Sequence, residues 1–481
     1  MESGKQKIFY GHIVITLLLM FGFGQLPAVG TITPLGMKLL GIFLGLIYAW
    51  SATSLLWPSL LGIVAVISTG MYSAKEFFKL SFGNDTVVLL IFMMVFAAMI
   101  DELGLIRFIA AWFTSRKFVA GKPWLFTFIF LVGAFIGAVF VNGFPVVLIF
   151  WSIFYKIAEQ VGFKPYDKYC TLMLVGVVFA AMTVGASVMP YRLAGLLMIS
   201  TVQAAAGTSV GFTQFILFSL PTGAALIGAY VLICKYILRP DVEPLKKLDG
   251  TLVSKEELCL DKKQKLAVLL LVVLIVLMVL PEVLPKTWAL QQLLAQLGMG
   301  SITILLVVAG CLIKIDGQPI MNFGQMIAKG VSWDVAILFA IVLPLSSLLT
   351  NEATGITPFL VGTVSPLLGS LSPLVLIIVV TAVLTVLTNL ANNAVLSVIF
   401  INILCPLSVA MGIDPVPIAL SFLWFSQFAY MTPAASAPAA IIFGNTNWIK
   451  AKDVYKLWPL WVMLYVVALV LFVPYAQLIF G

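Results

Sequence analysis

Residues 385–400 read TVLTNLANNAVLSVIF. Both flanks are apolar, yet Thr388, Asn389, Asn392 and Asn393 recur between them at helical spacing. An uncharged amide gains nothing from facing hydrocarbon, so a plain lipid-exposed helix is a poor reading of this stretch. A turn inside a membrane, closed by side chains that bond their own backbone, is a better one.

The rest of the chain supplies the membrane. Of its 481 residues 62% are hydrophobic and 10% charged, with a mean hydropathy of +1.14, values that no water-soluble fold carries. Apolar runs of about 20 residues recur from end to end, each long enough to cross a bilayer as a helix. They do not alternate polar with apolar residues, which excludes a barrel. The fold class is an all-α polytopic membrane protein whose first partner is the lipid bilayer of the cell (plasma or inner) membrane.

The net charge of +8 would suggest nucleic acid in a soluble protein. Here Lys and Arg collect at the ends of apolar runs, so they set topology and no nucleic-acid partner is expected. Five scattered cysteines give neither a disulfide framework nor a zinc site. The single histidine, His12, reads as an interfacial residue. Lys5 and Lys7 precede an apolar run from Ile8 to about Val29 that is long and lacks a cleavage site, so it reads as the first span.

One hydrophilic segment, 235–265, carries eight basic and six acidic residues. It reads as a cytoplasmic linker between two halves, 1–234 and 266–481. The halves resemble each other. At a shift of 251 residues Ser81-Phe82 falls on Ser332-Trp333, Asp101 on Glu352, Gly104-Leu105 on Gly355-Ile356 and Asn142 on Asn393. At 249, AAMTVGAS (180–187) falls on AYMTPAAS (429–436). An internal duplication accounts for these landmarks.

Charge then orients the copies. Arg116, Lys117 and Lys122 precede the segment that holds Asn142, and Lys156, Lys164 and Lys168 follow it. Both its ends therefore face the cytoplasm, and 124–155 reads as a re-entrant hairpin with VNGFP at its turn. No Lys or Arg lies between Lys329 and Lys450, so the hairpin at 373–404 faces outward. The expectation is two inverted-topology repeats, about 11 transmembrane helices plus two re-entrant hairpins. The first repeat carries N-terminal scaffold helices, the N-terminus is cytoplasmic and the C-terminus outside. Such repeats are the architecture of secondary transporters.

Hairpin turns inside hydrocarbon require a cavity. Freed carbonyls there suit a small hard cation, and half-helix N-termini suit an anion. Val141, Asn142, Thr388 and Asn393 are the candidates for a coupling cation, Na+ or H+, with a sodium ion at the two hairpin tips. Candidates for the solute are Asn142, Gly143, Asn392, Asn393, Thr183, Ser187, Thr432, Ser436 and Arg192. Asn389 by itself reads as an interhelical hydrogen-bonding residue. The serines and threonines of MTxxAS either serve the site or permit close helix packing. They lie beside Gly185, Pro190, Pro433 and Pro438, which break helices. Arg192 either pairs with an anionic solute or snorkels to the outer interface. Asp101 and Glu352 read as solvated or structural carboxylates at span ends, and Asn84-Asp85 as a helix cap.

Signatures of zinc hydrolases, P-loop ATPases and serine hydrolases are missing from the sequence. Energy must then come from an ion gradient, and no cofactor is expected beyond the coupling cation. A membrane-embedded enzyme acting on a lipid-like substrate would want clustered carboxylates or histidines, which the chain does not offer.

With these residues in view, the chain resembles the divalent anion:sodium symporter family and its wider ion transporter superfamily. The likeness runs through AWSATSLLWPSLLGIVAVISTGM (49–71), FGNDTVVLLIFMMVFAAMIDELGLIRFIA (82–110) and both hairpins with their broken helices. The resemblance implies hairpins tipped by Ser-Asn-Thr motifs that bind sodium and a substrate carboxylate. It also implies homodimers that move a transport domain against a fixed scaffold. Asn142 and Asn393 match the central asparagines. Val141 and Gly143 stand where Ser and Thr belong in the first motif, Asn392 and Ala394 in the second. MTVGAS and MTPAAS replace the family's glycine-threonine-proline stretch. The expected function is an ion-coupled symporter of a small organic anion, a di- or monocarboxylate, with elevator-type alternating access. The alternative within the superfamily is a cation/proton antiporter or an inorganic oxyanion permease.

Overall fold

The apolar runs fold as helices in the computed structural model. It describes residues 2–114, 121–140, 143–188, 193–207, 210–247, 259–349, 351–359, 362–363, 373–389, 393–433 and 435–480. The chain opens with α1 (Glu2–Leu17), α2 (Pro34–Ala52), α3 (Leu56–Ser68), α4 (Ala74–Leu80), α5 (Asp85–Glu102) and α6 (Leu105–Thr114). Next come α7 (Pro123–Phe140), α8 (Gly143–Val161), α9 (Lys168–Val178), a π-helical turn over Phe179–Val184, and α10 (Gly185–Val188). α11 (Leu193–Ala206) and α12 (Phe212–Ile233) complete the first half.

The second half begins with α13 (Lys262–Val283) and α14 (Ala289–Leu312). A two-stranded antiparallel ribbon follows, β1 (Lys314–Ile315) with β2 (Gln318–Pro319). Then come α15 (Phe323–Gly330), α16 (Trp333–Leu349), α17 (Pro373–Leu387), α18 (Asn393–Ala410) and α19 (Pro415–Phe425). α20 (Ala437–Gly444), α21 (Ala451–Tyr455) and α22 (Trp458–Phe480) close the chain.

Among the described residues seven helices are long and apolar enough to cross a bilayer, or up to nine if each of two bent pairs is one span. That is fewer than the eleven expected, because several apolar runs are cut into helices of 10–17 residues. The hydrophilic linker is also shorter than 235–265. α12 continues through a π turn to Leu238, and α13 starts at Lys262, capped by a reciprocal pair of bonds between Asp261 and Gln264.

The order of elements recurs. α4 and α5 lead to Gly104 at φ 77°, and α15 and α16 lead through a short 3-10 turn to Gly355 at φ 64°. α8 is followed by Gly162, and α18, after one more residue, by Gly412, both with positive φ. In each case a residue just beyond reaches back into the last turn, Phe163 N–H to the Ala158 carbonyl and Ile413 N–H to that of Ser408. The loops that follow hold six residues (162–167) and four (411–414), each ending in an aspartate before the next helix. Their difference of two matches the change in repeat spacing from 251 to 249.

By contacts the chain forms two compact units, each drawing on both halves. One comprises Met1–Ile91, Leu196–Val210 and Ser332–Ser426. One close contact in it is between backbones. Thr33 N–H donates to the Thr354 carbonyl at 2.9 Å, and the hydroxyls of Thr31 and Thr33 donate to the carbonyls of Gly355 and Ala353. Glycine is required on both sides. A Cβ at Gly36 would sit 2.1 Å from the Thr354 oxygen, and one at Gly355 1.8 Å from the Thr31 oxygen.

The other unit comprises Phe92–Gly195, Gly211–Val331 and Gln427–Gly481. There α12 packs along α22, and Phe218 stacks on Tyr475. The Glu282 carboxylate accepts from the Phe212 and Thr213 N–H groups at 2.6 and 2.8 Å, satisfying donors at the start of α12. Trp151 Nε1–H and Tyr230 O–H donate to the carbonyls of Leu174 and Leu172 on α9.

These contacts rank glycines by consequence. Gly355→Ala meets backbone as well as an unfavourable φ and is expected to cost about 3–5 kcal/mol. Gly317→Ala, in the Asp316-Gly317 turn of the ribbon with open space around it, should cost only about 1 kcal/mol. Thermal unfolding of both variants in detergent would show the difference as a large and a small fall in Tm.

Candidate functional site

Two helix pairs place the residues singled out by the sequence. α7 runs to Phe140 and α8 starts at Gly143. α17 runs to Leu387 and α18 starts at Asn393. Each junction therefore brings a helix C-terminus, with its partial negative charge, within a few residues of a helix N-terminus with its partial positive charge. A cation suits the first and an anion the second. The first pair lies in the second unit, the other in the first, and each is described in its own surroundings.

At the first junction Gly143 is buried, and a Cβ on it would lie 3.0 Å from the Ala181 oxygen and 3.1 Å from Met182 Cγ. The start of α8 thus abuts the π turn directly. In that turn the Gly185 N–H reaches the Ala180 carbonyl, so the helix is widened without being broken. Neighbours close in through small residues. A Cβ at Gly185 would lie 2.7 Å from Ala138 Cβ, and one at Gly223, on α12, 2.7 Å from Val184 Cγ1.

Thr183 is fully buried in the turn and shares a hydrogen bond with the hydroxyl of Tyr430. Ser187 donates to the Thr183 carbonyl at 2.8 Å, a bond within its own helix.

The second copy of the motif is built differently. α19 stops at Phe425 and α20 starts only at Ala437, a complete break rather than a widened turn. Pro433 stands where the first copy has Val184, and a residue without an N–H cannot sustain the helical ladder. Ser436 caps α20 by accepting from the Ala439 N–H, and its hydroxyl donates to the Ala429 carbonyl at 2.6 Å. Tyr430, fully buried, lies flat on Trp461 with ring centroids 4.1 Å apart and planes 7° apart. Thr432 is half-buried.

In the first unit Thr388 is fully buried at the end of α17, and its hydroxyl donates to the Ser426 carbonyl at 2.9 Å, where α19 ends. The Asn389 amide donates to the Thr385 carbonyl at 2.7 Å, within its own helix. Asn393 is the first residue of α18. Val141, Asn142, Arg192 and Asn392 lie outside the described residues.

The structure thus brings Thr183 onto Tyr430, with Gly143 and Ser187 against the same π turn and Ser436 bonded to the residue before Tyr430, and it places Thr388 and Asn393 at the ends of α17 and α18. Among the described residues no group of three or more His, Cys, Asp or Glu side chains could hold a metal, so oxygens for a cation would come from backbone, amides and hydroxyls. Away from the site, Asn84 caps α5 by accepting from the Thr86 N–H, as the sequence implied. His12 Nδ1 lies 2.8 Å from the Tyr48 hydroxyl, and Glu352 is exposed in its 3-10 turn.

Sequence reasoning missed Tyr430. Its repeat partner is Ala181, so comparing the halves matches an aromatic hydroxyl with a methyl group. A second missed cluster joins the loops after α8 and α20. Tyr155 stacks on Trp448 and accepts from the Asn445 amide, while Tyr166, at φ 73°, donates through its hydroxyl to the Thr446 carbonyl under the ammonium of Lys450.

Comparison with known proteins places this arrangement. A family model described as a citrate transporter matches residues 45–424. The chain is 25% identical over 279 residues to the sodium-dependent dicarboxylate transporter SdcS of Staphylococcus saprophyticus, a match covering 57% of this chain and 52% of that protein. It is 30% identical over 148 residues to solute carrier family 13 member 1 of Mus musculus, over 31% of this chain and 24% of the relative. The chain thus spans about half the length of the first of these relatives and less of the second. In fold it is similar to the YdaH transporter of Alcanivorax borkumensis, with a TM-score of 0.57 at 14% identity over 98% of both chains.

The two serines of the repeated motif have unequal duties. Ser436→Ala removes a helix cap and leaves the Ala429 carbonyl without its partner, an expected loss of about 1–2 kcal/mol. Ser187→Ala gives up only a bond within its own helix and should change stability by less than about 0.5 kcal/mol. Parallel thermal unfolding in detergent distinguishes the two.

Proposed function

The chain belongs to the citrate transporter family, and on that footing we propose that it is an ion-coupled symporter that carries a small organic anion, a di- or monocarboxylate, with sodium. The family and the matched relatives are transporters, so the enzyme reading is set aside. One observation carries the proposal. At Phe140 and Gly143, and again at Leu387 and Asn393, the C-terminus of one helix is followed within a few residues by the N-terminus of the next.

Such a junction offers a place for each sign of charge. A cation at the carbonyl end of each junction, held with Val141 and Asn142 at one and with Thr388 and Asn393 at the other, offsets the charge of an anion at the N–H end of the same junction. Each ion then raises the affinity of the other by the same factor, which is the thermodynamic content of symport. Gly143 and Asn392 join the anion at the tips, and Thr183, Ser187, Thr432 and Ser436 support the walls. Arg192 takes a second carboxylate or anchors the chain at the interface. The likeness to SdcS, a sodium-dependent dicarboxylate transporter, favours sodium and a carboxylate. The missing hydroxyls at Val141, Gly143, Asn392 and Ala394 favour a solute held by amide and backbone donors.

The distribution of Lys and Arg supports two inverted repeats with the N-terminus in the cytoplasm and the C-terminus outside. The alternation follows an elevator-type movement in a homodimer.

Uptake into proteoliposomes tests the reading. An inward sodium gradient should drive accumulation of labelled succinate or citrate, and Asn142→Ala or Asn393→Ala should weaken apparent affinity at least tenfold, roughly the loss of one charge-assisted hydrogen bond. Uptake driven equally by a proton gradient without sodium would replace the coupling ion. Transport of inorganic oxyanions without any carboxylate would replace the substrate class.

A further inference from the structure

We propose that Tyr430 is a positioning residue that ties the second broken helix to the first hairpin tip through its hydrogen bond to Thr183, and so sets affinity at that tip. The inference rests on the transporter reading above.

The connection can be followed residue by residue. Ser436, the cap of α20, donates to the Ala429 carbonyl at 2.6 Å and fixes the backbone just before Tyr430. The Tyr430 ring is held against Trp461 at 4.1 Å and meets the edge of Phe179 at 6.4 Å and 61°. Phe179 is itself stacked on Tyr230, whose hydroxyl donates to the Leu172 carbonyl. A ring clamped in this way has no freedom to swing, and its hydroxyl is held on Thr183.

Thr183 sits in the π turn, and the same turn presents the Ala181 carbonyl and Met182 side chain to Gly143 within 3.0–3.1 Å of where a Cβ would stand. A shift of the turn by a few tenths of an ångström therefore reaches the first residue of α8. Both hydroxyls are fully buried, so they do not touch solute themselves. Loss of either removes a buried hydrogen bond between the broken helix and the π turn, and the turn is then free to move.

A phenylalanine at 430 keeps the ring and its stacking, which makes Tyr430→Phe the informative variant where Tyr430→Ala would endanger folding. Its KM for the carboxylate should rise about tenfold with kcat within about twofold, the effect of one neutral hydrogen bond acting on binding geometry. Thr183→Val should match it, the double variant should be no worse than either, and Thr183→Ser should restore wild-type KM. An unchanged KM in Tyr430→Phe, or losses that add in the double variant, would overturn the proposal.

Should the wild-type protein fail to accumulate carboxylates with sodium, the functional reading fails, while the mechanical link is tested by amide hydrogen exchange. Exchange in 143–147 and 180–185 should then be faster in Tyr430→Phe than in wild type, with 56–68 unchanged. Equal exchange in both proteins rejects the link.

Discussion

Hydrocarbon supplies no hydrogen-bond partners, so every place where a helix stops inside the membrane must be closed by the protein itself. This constraint accounts for most of the polar contacts described above. The π turn keeps its ladder by reaching one residue further, from Gly185 back to Ala180. The break before α20 is closed by Ser436, and the end of α19 by the Thr388 hydroxyl on the Ser426 carbonyl. Each interruption is expensive, and each lies where the sequence repeats itself. Local irregularity of that kind persists only where something needs the exposed backbone.

The repeated motif also shows how little sequence separates two local structures. A valine at 184 lets the first copy remain helical, and a proline at 433 breaks the second. Once broken, the second copy can hold a large ring, Tyr430, where the first has only Ala181. The same ancestral-looking stretch thus became a widened turn in one half and a rigid corner in the other, and the corner fastens onto the turn.

Much of this was legible in the residues. Gly143 and the asparagine tract around Asn393 marked the starts of α8 and α18, because glycine and asparagine permit the backbone a turn requires. The helices that lead into these junctions start at Pro123 and Pro373. The far ends were read six residues short. Lys156, Glu159 and Gln160 dilute the apolar signal of α8, and Pro406 interrupts that of α18, yet both helices continue until a left-handed glycine stops them at 162 or 412. Tyr430 was not legible. An aromatic residue in an apolar tract reads as core, and its hydroxyl matters only because Thr183, 247 residues earlier in the chain, lies against it.

The backbone contact between Thr31–Gly36 and Ala353–Gly355 bears on how the protein is made. Its partners are 320 residues apart, and the unit they belong to is assembled from three separate stretches of chain. At the pace of a ribosome the N-terminal helices wait roughly 15 s to a minute before residues 353–355 are synthesised. Through that interval α2 has an unfinished partner, and the Thr33 N–H must be satisfied by lipid headgroups, water or the insertion machinery. Biosynthesis of this protein is thus a matter of holding early helices in the membrane until late ones arrive.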